Sequence, residues 1–431
     1  MASAAAAPAI EVDLVVCGGG VAGCMAAVAA SRAGARVVLV ERYGFLGGNA
    51  TAGAVAQFNS WQTAAGRRVV AGLADEVVAR LRAVGAAAAH EVFTMSTGHR
   101  MDRVVYAPER LKWVLDRLLL DAGVQPLLHA QLAGVQVEGR RVRSIDVLCK
   151  SGRVELRPRL LADASGDLDA LHRAGARFLP LAEGEALQPA TMMFRFGPVD
   201  FDRFEAIPAP ERAALAQRGH AQGELARAAL HAARDPGSDD AWFNISRLAV
   251  DATDAWALSR AEIEGRDQAW RAAQFLQREV PGCGRGTLRA FGTQIGIRET
   301  RRVEGDHVLG ADDLLRPTVF DDAIAAGAYP IDIHPAQGGG LEYRELGEDH
   351  AYQIPWRCLL PTTLDNALAL GRGVSATHEA QAAIRVMTIS MAVGQAAGLG
   401  AALACAGDGS TRGVDVRLLR QRLLEQGAIL A

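Results

Sequence analysis

Three glycines near the start of the chain have the spacing of a dinucleotide-binding turn. Gly18, Gly20 and Gly23 form the pattern G-x-G-x-x-G, and Glu41 ends the apolar run that follows. The first glycine of such a turn permits a sharp bend, the second lets a pyrophosphate approach the backbone, and the third lets helix and strand pack closely. The carboxylate of Glu41 can accept hydrogen bonds from a ribose diol. These four residues predict a bound dinucleotide; a buried strand–helix–strand unit without a ligand is the alternative.

The residues around the glycines favour the strands and the helix that such a turn needs. A valine-rich run, EVDLVV at 11–16, precedes the turn, and a second run, RVVLVE, ends at Glu41. The alanine-rich stretch between them favours a helix. The start of this helix, at Val21 and Ala22, would offer free N–H groups and a positive dipole end to phosphate. Glu41 would repel the 2′-phosphate of NADP, although the neighbouring Arg42 weakens that argument.

Two histidines and one arginine are candidates for chemistry on a substrate. His378 in SATHEA and His334 in PIDIHP can exchange a proton near neutral pH, and we take His378 as the first choice for a general base. Arg385 lies just before the uncharged stretch 387–406 and would stabilise negative charge on a reduced cofactor. For each of the three, a packed or ion-paired structural side chain is the alternative.

Composition excludes several classes of protein. The chain has 431 residues, half of them hydrophobic, and a net charge of −3 without a basic stripe, which argues against nucleic-acid binding. Its six cysteines are scattered and form no C-x-x-C pair, so we predict no metal site and no dithiol redox pair.

Two segments of the sequence bear on where in the cell the protein is found. The start of the chain, MASAAAAPAI, lacks the basic region of a signal peptide, and we expect a cytoplasmic protein. The stretch 387–406 has no charge and contains glycines at small-xxx-small spacing. Its many alanines and glycines make it only weakly hydrophobic, so we predict an interior helix and no association with membranes.

Three strand–glycine–helix junctions lie far apart in the sequence, at 14–30, 160–175 and 366–400. A cofactor that touches all three must be long, and a domain inserted between the second and third would explain their separation. The sequence contains no second convincing dinucleotide turn. We therefore expect no dedicated NAD(P)H domain, and electrons that enter from an organic substrate.

Taken together, these segments resemble the FAD-dependent oxidoreductases whose flavin domain is shared with fumarate reductase and glutathione reductase. The matching segments include VVCGGGVAGCMAAVAASRAGARVVLVERYGFLGGNATAG, LLADASGDLDALHRAGA and LALGRGVSATHEAQAAIRVMTISMAVGQAAG. They come in the family's order and span nearly the whole chain. The resemblance implies that the glycine turn holds the ADP half of FAD. Iron–sulfur relatives carry added cysteine motifs, which this sequence lacks.

The resemblance also implies roles for residues outside the turn. Glu41 would hold the adenosine ribose, and Leu132 would contribute backbone contacts to adenine. The other residues expected to contact FAD are Gly47, Gly48, Asn49, Thr51, Asp163, Gly166, Gly371, Arg372, Arg385 and Gln395.

The predicted fold is α/β, a Rossmann-like FAD-binding domain with an inserted α+β substrate domain. The predicted boundaries are a disordered tail at 1–7, the first part of the FAD-binding domain at 8–180, the substrate or cap domain at 181–357, and the C-terminal part of the FAD-binding domain at 358–431. As the function we predict dehydrogenation of a small organic substrate by hydride transfer to flavin N5, in a monomer or homodimer. Oxygen, a quinone or a partner protein would accept the electrons. The alternatives are a flavin monooxygenase that uses NAD(P)H and oxygen, and a non-catalytic dinucleotide-binding protein.

Overall fold

The computed structural model describes residues 9–94, 100–335 and 342–430, so the tail predicted at 1–7 lies outside the described residues. The strands are β1 (Ile10–Cys17), β2 (Val37–Val40), β3 (Gln57–Asn59), β4 (Glu91–Thr94), β5 (Arg100–Val105), β6 (Gln125–Leu127), β7 (Gln131–Glu138), β8 (Arg141–Cys149), β9 (Gly152–Asp163), β10 (Phe194–Gly197), β11 (Ala232–Arg234), β12 (Ala241–Phe243), β13 (Thr287–Phe291), β14 (Ala323–Gly327), β15 (Ile331–Ile333), β16 (Glu342–Arg344), β17 (Tyr352–Pro355) and β18 (Ala367–Ala369). The helices are α1 (Val21–Arg32), α2 (Leu73–Ala83), α3 (Pro108–Asp121), α4 (Asp169–Arg173), α5 (Phe201–Glu205), α6 (Ala209–Ala221), α7 (Ala255–Glu279), α8 (Ala311–Leu315), α9 (His378–Ile384), α10 (Met387–Ala406) and α11 (Val416–Glu425).

The largest sheet has seven strands, in the order β6-β2-β1-β9-β8-β7, with β18 beside β9. Strands β6, β2, β1, β9 and β18 are parallel to their neighbours within this group, whereas β8 and β7 continue the sheet as an antiparallel extension. The continuous apolar sequences of β1 and β2 are typical of parallel strands covered on both faces. This sheet confirms the predicted α/β fold with a Rossmann-like core.

The three junctions found in the sequence meet at one edge of this sheet. Cys17, the last residue of β1, pairs with Asp163 at the end of β9, and Ala369 at the end of β18 pairs with Asp163 from the other side. Ligands of open parallel sheets bind outside the carboxyl ends of the strands. Segments far apart in the sequence therefore reach one site.

Helix α10 is an interior helix that packs directly on α1, as predicted for the uncharged stretch. A Cβ atom on Gly394 would lie 2.3 Å from the Ala22 carbonyl oxygen, and one on Gly398 would lie 2.0 Å from that of Ala26. Glycine is needed at both positions for the two backbones to approach this closely. Within the described residues, α10 is the one helix long and apolar enough to cross a membrane, and 83% of its apolar window is buried inside the protein.

A second sheet has four antiparallel strands, in the order β11-β12-β10-β13. It packs with α5, α6 and α7 around its own apolar core, which includes Phe194, Phe243 and Phe275. The side chain of Asp254 caps α7 by accepting a hydrogen bond from the Ala257 N–H, which satisfies one of the free donors at the helix start. The middle of the chain thus contains an α+β unit with a separate core.

The described residues also form three smaller sheets. Strands β3, β5 and β4 form one of them, β14 pairs with β17, and β15 pairs with β16. Ile324 and Ile354, on β14 and β17, belong to the same apolar core as α10. Part of the segment 181–357 therefore packs into the larger core, beside the sheet that carries the glycine turn.

Candidate active site

The glycine turn has the geometry that its sequence predicts. Gly18 has a φ of +104°, and a Cβ atom there would lie 2.3 Å from the Ala164 carbonyl oxygen. A Cβ on Gly23 would lie 2.0 Å from the Gly18 carbonyl oxygen, so this glycine lets α1 pack against the turn. By contrast, a Cβ on Gly20 would meet no described atom within 4 Å. Gly20 therefore faces open space, where a ligand can approach the backbone.

That open space is a cavity of about 120 Å³, here called the glycine cavity. Most of the residues predicted to bind a cofactor line it: Gly18, Gly20, Val21, Ala22, Glu41, Arg42, Gly47, Gly48, Asn49, Gly166, Gly371, Arg372 and Arg385. They come from the segments after β1, β2, β9 and β18, from the start of α1 and, for Arg385, from the end of α9. The fold thus gathers the three predicted junctions around one cavity.

Glu41 is held in place at the rim of the turn. Its Oε2 atom accepts a hydrogen bond of 2.7 Å from the Gly19 N–H, and its Oε1 atom accepts one of 2.9 Å from the Tyr43 N–H. A carboxylate has about four acceptor sites, so lone pairs remain for a ribose diol. The side chain is buried and keeps a fixed orientation.

Besides Gly23, which packs α1 against the turn, four predicted contact residues do not line the glycine cavity. Thr51 donates a hydrogen bond of 2.6 Å from Oγ1 to the Leu46 carbonyl oxygen, which shapes the loop behind Gly47. Gln395 accepts one of 2.9 Å from the Leu73 N–H, inside the protein. Leu132 lies on β7, opposite Val147.

Asp163 is the fourth of these residues, and it organises the loop after β9. Its carboxylate accepts hydrogen bonds from the Ser165 N–H at 3.0 Å, the Ser165 hydroxyl at 2.6 Å and the Leu171 N–H at 2.8 Å. Complete burial raises the pKa of Asp163 to about 6. Asp163 therefore positions Gly166 for the cavity without lining the cavity itself.

Sequence reasoning missed several residues that line the glycine cavity, among them Gln294. The Gln294 Oε1 atom accepts hydrogen bonds from the Tyr43 hydroxyl at 2.6 Å and from the Arg42 guanidinium. Gln294 lies in the segment after β13, the last strand of the inserted unit in the sequence. Its sequence context, FGTQIGIRE, carries no recognisable signal for this contact.

A second cavity of about 180 Å³, here called the arginine cavity, adjoins the first. The two share the residues Asn49, Ile297, Arg372, Arg385 and Met387. The arginine cavity lies between the sheet β3-β5-β4, the inserted unit and β15. Its wall includes His334, one of the two predicted catalytic histidines.

The two adjoining cavities fit FAD. Two buried guanidinium nitrogens, Arg372 Nη1 and Arg385 Nε, have no hydrogen-bond partner within the described parts of the chain. Both arginines line both cavities, so acceptor atoms of a pyrophosphate and a flavin would satisfy these donors. The start of α10, at Met387, also lies where the cavities meet and would direct a positive dipole end at that point.

His334 belongs to a buried polar cluster on the wall of the arginine cavity. Its Nε2 atom lies 3.3 Å from Asp332 Oδ2, which also accepts a hydrogen bond of 2.9 Å from the Tyr329 hydroxyl. Arg385 Nη2 lies 3.8 Å from the same oxygen and donates to the Asp332 carbonyl oxygen at 3.2 Å. Two of the three predicted catalytic residues, His334 and Arg385, thus lie together beside the glycine cavity.

His378 occupies a different environment. It is the first residue of α9, and its Nδ1 atom lies 2.9 Å from Glu299 Oε1, deep in the protein. Burial opposes the protonation of this ring, but the hydrogen bond and the charge of Glu299 outweigh burial and raise the pKa of His378. His378 is not among the residues that line either cavity.

Comparisons with known proteins agree with this architecture. A family profile described as FAD dependent oxidoreductase matches residues 13–423. No curated protein matches the sequence at a significant level. The chain is similar to the crystal structure of a geranylgeranyl bacteriochlorophyll reductase-like protein from Thermoplasma acidophilum, with 13% identity, a TM-score of 0.52, and coverage of 98% of this chain and 85% of that one.

A triple mutant of a flavin-dependent brominase is also similar, with 12% identity, a TM-score of 0.51, and coverage of 96% of this chain and 84% of that one. At these identities the two structures establish a shared fold and nothing finer. The family match covers nearly the whole chain and includes all the segments that line the glycine cavity. The chain belongs to the FAD-dependent oxidoreductases, and FAD is its cofactor.

Proposed function

We propose that this FAD-dependent oxidoreductase dehydrogenates a small organic substrate bound in the arginine cavity, with His334 as the general base. The observation that supports this most directly is the pair of His334 and Asp332, 3.3 Å apart on the wall of a cavity that adjoins the FAD site. A histidine oriented by a carboxylate is a common arrangement for accepting a proton from a substrate hydroxyl or amine.

Asp332 would fix the tautomer of His334. When Nε2 carries the proton and donates it toward the carboxylate, Nδ1 keeps a lone pair that can accept a proton. Burial, together with the positive charge of Arg298, lowers the pKa of His334 to about 3, so the ring is neutral at pH 7. The ring can then accept a proton without first losing one, and an anion that offsets the charge of Arg298 would raise its pKa toward the operating pH, where a general base is most effective.

The hydrogen bonds from His334 and Tyr329, together with the charge of Arg385, would keep Asp332 in its charged form. Burial by itself raises the pKa of Asp332, but these neighbours hold it well below its usual range. Burial also raises the pKa of the Tyr329 hydroxyl well above its usual value, so this group stays a hydrogen-bond donor to Asp332. The cluster therefore holds a charged carboxylate beside the Nε2 atom of His334.

The remaining roles follow from the two cavities. Residues of the glycine cavity, including Gly20, Glu41 and Arg372, would hold FAD, which supplies the two-electron redox chemistry when bound. Oxygen, a quinone or a partner protein would then accept the electrons, and we propose a cytoplasmic monomer or homodimer.

The test is anaerobic reduction of the purified holoenzyme by a panel of alcohols, amines and acids. We expect at least one compound to bleach the absorbance of the oxidised flavin and to yield a product two hydrogens poorer. If no compound bleaches the flavin but NADH does, with oxygen uptake that depends on an organic substrate, the protein is a monooxygenase and the proposal is wrong. If neither class of compound reduces the flavin, the protein is a non-catalytic binder and the proposal is also wrong.

A further inference from the structure

The arginine cavity contains more positive charge than its own carboxylate balances. Five guanidinium groups line it, from Arg103, Arg227, Arg298, Arg372 and Arg385. Asp332 is the one carboxylate among the described lining residues. Buried charges are normally paired, so each arginine needs a partner from elsewhere in the chain or from a ligand.

Three of the five arginines have such a partner. Arg103 is paired with Glu91, and Arg372 Nη2 lies 2.9 Å from Asp167 Oδ1. Arg385 lies 3.8 Å from Asp332 Oδ2, as described above. Arg372 and Arg385 also line the glycine cavity, so they are placed to contact FAD.

Arg227 and Arg298 are different. Within the described residues, neither forms an ion pair with a carboxylate, and neither lines the glycine cavity. Arg298 Nη1 donates to the Pro189 carbonyl oxygen at 2.5 Å and to Thr191 Oγ1 at 2.8 Å, which orients the guanidinium without neutralising it. Arg227 has no hydrogen-bond partner among those residues and lies in the irregular segment between α6 and β11.

Burial and neighbouring positive charge both disfavour the charged form of these two groups. Burial first, and then the charges of Arg385 and Arg227, lower the pKa of Arg298. Burial and the charge of Arg247 lower the pKa of Arg227. A guanidinium group buried in this way is strongly stabilised by an oxyanion, because its planar donors match a carboxylate or a phosphate in pairs.

We infer that Arg227 and Arg298 form an anion-binding subsite, and that the substrate is a small organic anion with a carboxylate or phosphate head. This inference rests on the proposed function for the placement of the substrate in the arginine cavity. The wall of that cavity also includes the apolar side chains of Phe93, Met101 and Met193, which suit an apolar body behind the charged head. An anion near Arg298 would also offset the positive charge that holds the pKa of His334 low.

The experiment measures binding to the oxidised holoenzyme by isothermal titration calorimetry, so it needs no turnover. The probes are benzoate, phenyl phosphate and the neutral benzamide, which share one ring and differ in the head group. We expect at least one anion to bind about tenfold or more tightly than benzamide. Whichever of benzoate and phenyl phosphate binds more tightly identifies the head group.

The matched variants are Arg227→Met, Arg227→Lys and, as a control, Arg271→Gln on the exposed face of α7. Arg227→Met removes a charge without breaking an internal contact, so we expect it to fold and to weaken anion binding about tenfold or more while benzamide is unaffected. Arg227→Lys should bind the anions more weakly than the wild type and more tightly than Arg227→Met, because it keeps the charge but loses the paired donors. Arg298→Lys serves as a second variant of the subsite and should weaken the anions because it removes the paired donors.

Three results would overturn the inference: no binding of either anion at millimolar concentration, equal binding of anions and benzamide, or undiminished anion binding in both Arg227→Met and Arg298→Lys. Failure of the proposed function would give a different result. The holoenzyme would then bind the anions through Arg227, but no organic acid would reduce its flavin.

Discussion

The Nε2 atom of His334 lies 3.3 Å from the Oδ2 atom of Asp332, on a cavity wall that the two residues share with Arg385. The other predicted histidine, His378, lies 2.9 Å from Glu299 and outside both cavities. Both histidines have a carboxylate partner, but only the first pair faces space that a substrate can enter. We therefore propose His334 as the general base, although our first choice from the sequence was His378.

Replacing His334 should slow the chemical step without loss of the cofactor. His334→Asn keeps a polar side chain but removes the base, and we expect anaerobic flavin reduction by the substrate to slow by about 10²–10⁴-fold. The FAD content, measured after denaturation, should stay near one per chain. His231→Asn is the matched control, because His231 lines the same cavity but is not in the Asp332 cluster. Reduction of His334→Asn at the wild-type rate would contradict this assignment.

Replacing His378 should instead lower stability. His378→Asn would leave Glu299, which is almost completely buried, with Arg302 at 3.4 Å as its remaining cationic partner. Removing one partner of a buried pair costs about 3–5 kcal/mol, so the apparent melting temperature should fall while the reduction rate per bound FAD changes little. A loss of about 10²-fold in that rate, with FAD still bound, would return the role of base to His378.

The pair of His378 and Glu299 should also make stability depend on pH. Because the pKa of His378 is raised in the folded state, its contribution is complete below the unfolded value and disappears as the pH rises through the folded value. The difference in melting temperature between the wild type and His378→Asn should therefore shrink at alkaline pH. A difference that grows with rising pH would show that the ring is neutral in the folded protein.

Replacing Gly20 should abolish FAD binding and leave the fold intact. A Cβ there meets no described atom within 4 Å, so the side chain of Gly20→Val would project into the glycine cavity and block the approach of the pyrophosphate. The wild type should be yellow and release FAD on denaturation, whereas this variant should be colourless with an unchanged far-UV circular dichroism spectrum. Gly284→Val is the control, since its nearest described neighbour would be the Gln277 carbonyl oxygen at 3.8 Å. Full flavin occupancy in Gly20→Val would show that the turn holds the cofactor elsewhere.

Asp163 should add a second pH dependence in the same direction, which comes from a carboxyl group rather than from an imidazole ring. Its pKa is raised to about 6, so the folded state retains a proton that the unfolded state loses near pH 4, and stability falls as the pH rises from 4 to 6. A shift of this size corresponds to about 3 kcal/mol. In Asp163→Asn this part of the pH dependence should vanish. Melting curves at a fixed scan rate between pH 4 and 7 measure it, and identical slopes in the two proteins would contradict the prediction.

The sequence by itself determined the parts of this site that depend on interactions between residues close together in the chain. The spacing of Gly18, Gly20 and Gly23 requires a turn with close backbone contacts, and the valine-rich runs on either side require buried parallel strands. Each of these features depends on neighbours within one strand–turn–helix unit, so periodicity and glycine spacing reveal it. The resemblance to the flavoprotein family, rather than a local pattern, implied Gly371 and Arg372, and both line the cavity.

Only the tertiary structure decided which polar side chains line the arginine cavity. In the sequence, PIDIHP and SATHEA are equally good candidates for a segment with a catalytic histidine. In the structure, His378 pairs with Glu299 in the interior, whereas His334 pairs with Asp332 at the cavity wall. Arg227 and Arg298 come together from separate segments, and no local pattern marks either as a ligand for an anion. Pairing and burial of charges depend on groups brought together by packing over long sequence separations, and the free energy of a charged side chain is set by those neighbours rather than by its place in a motif.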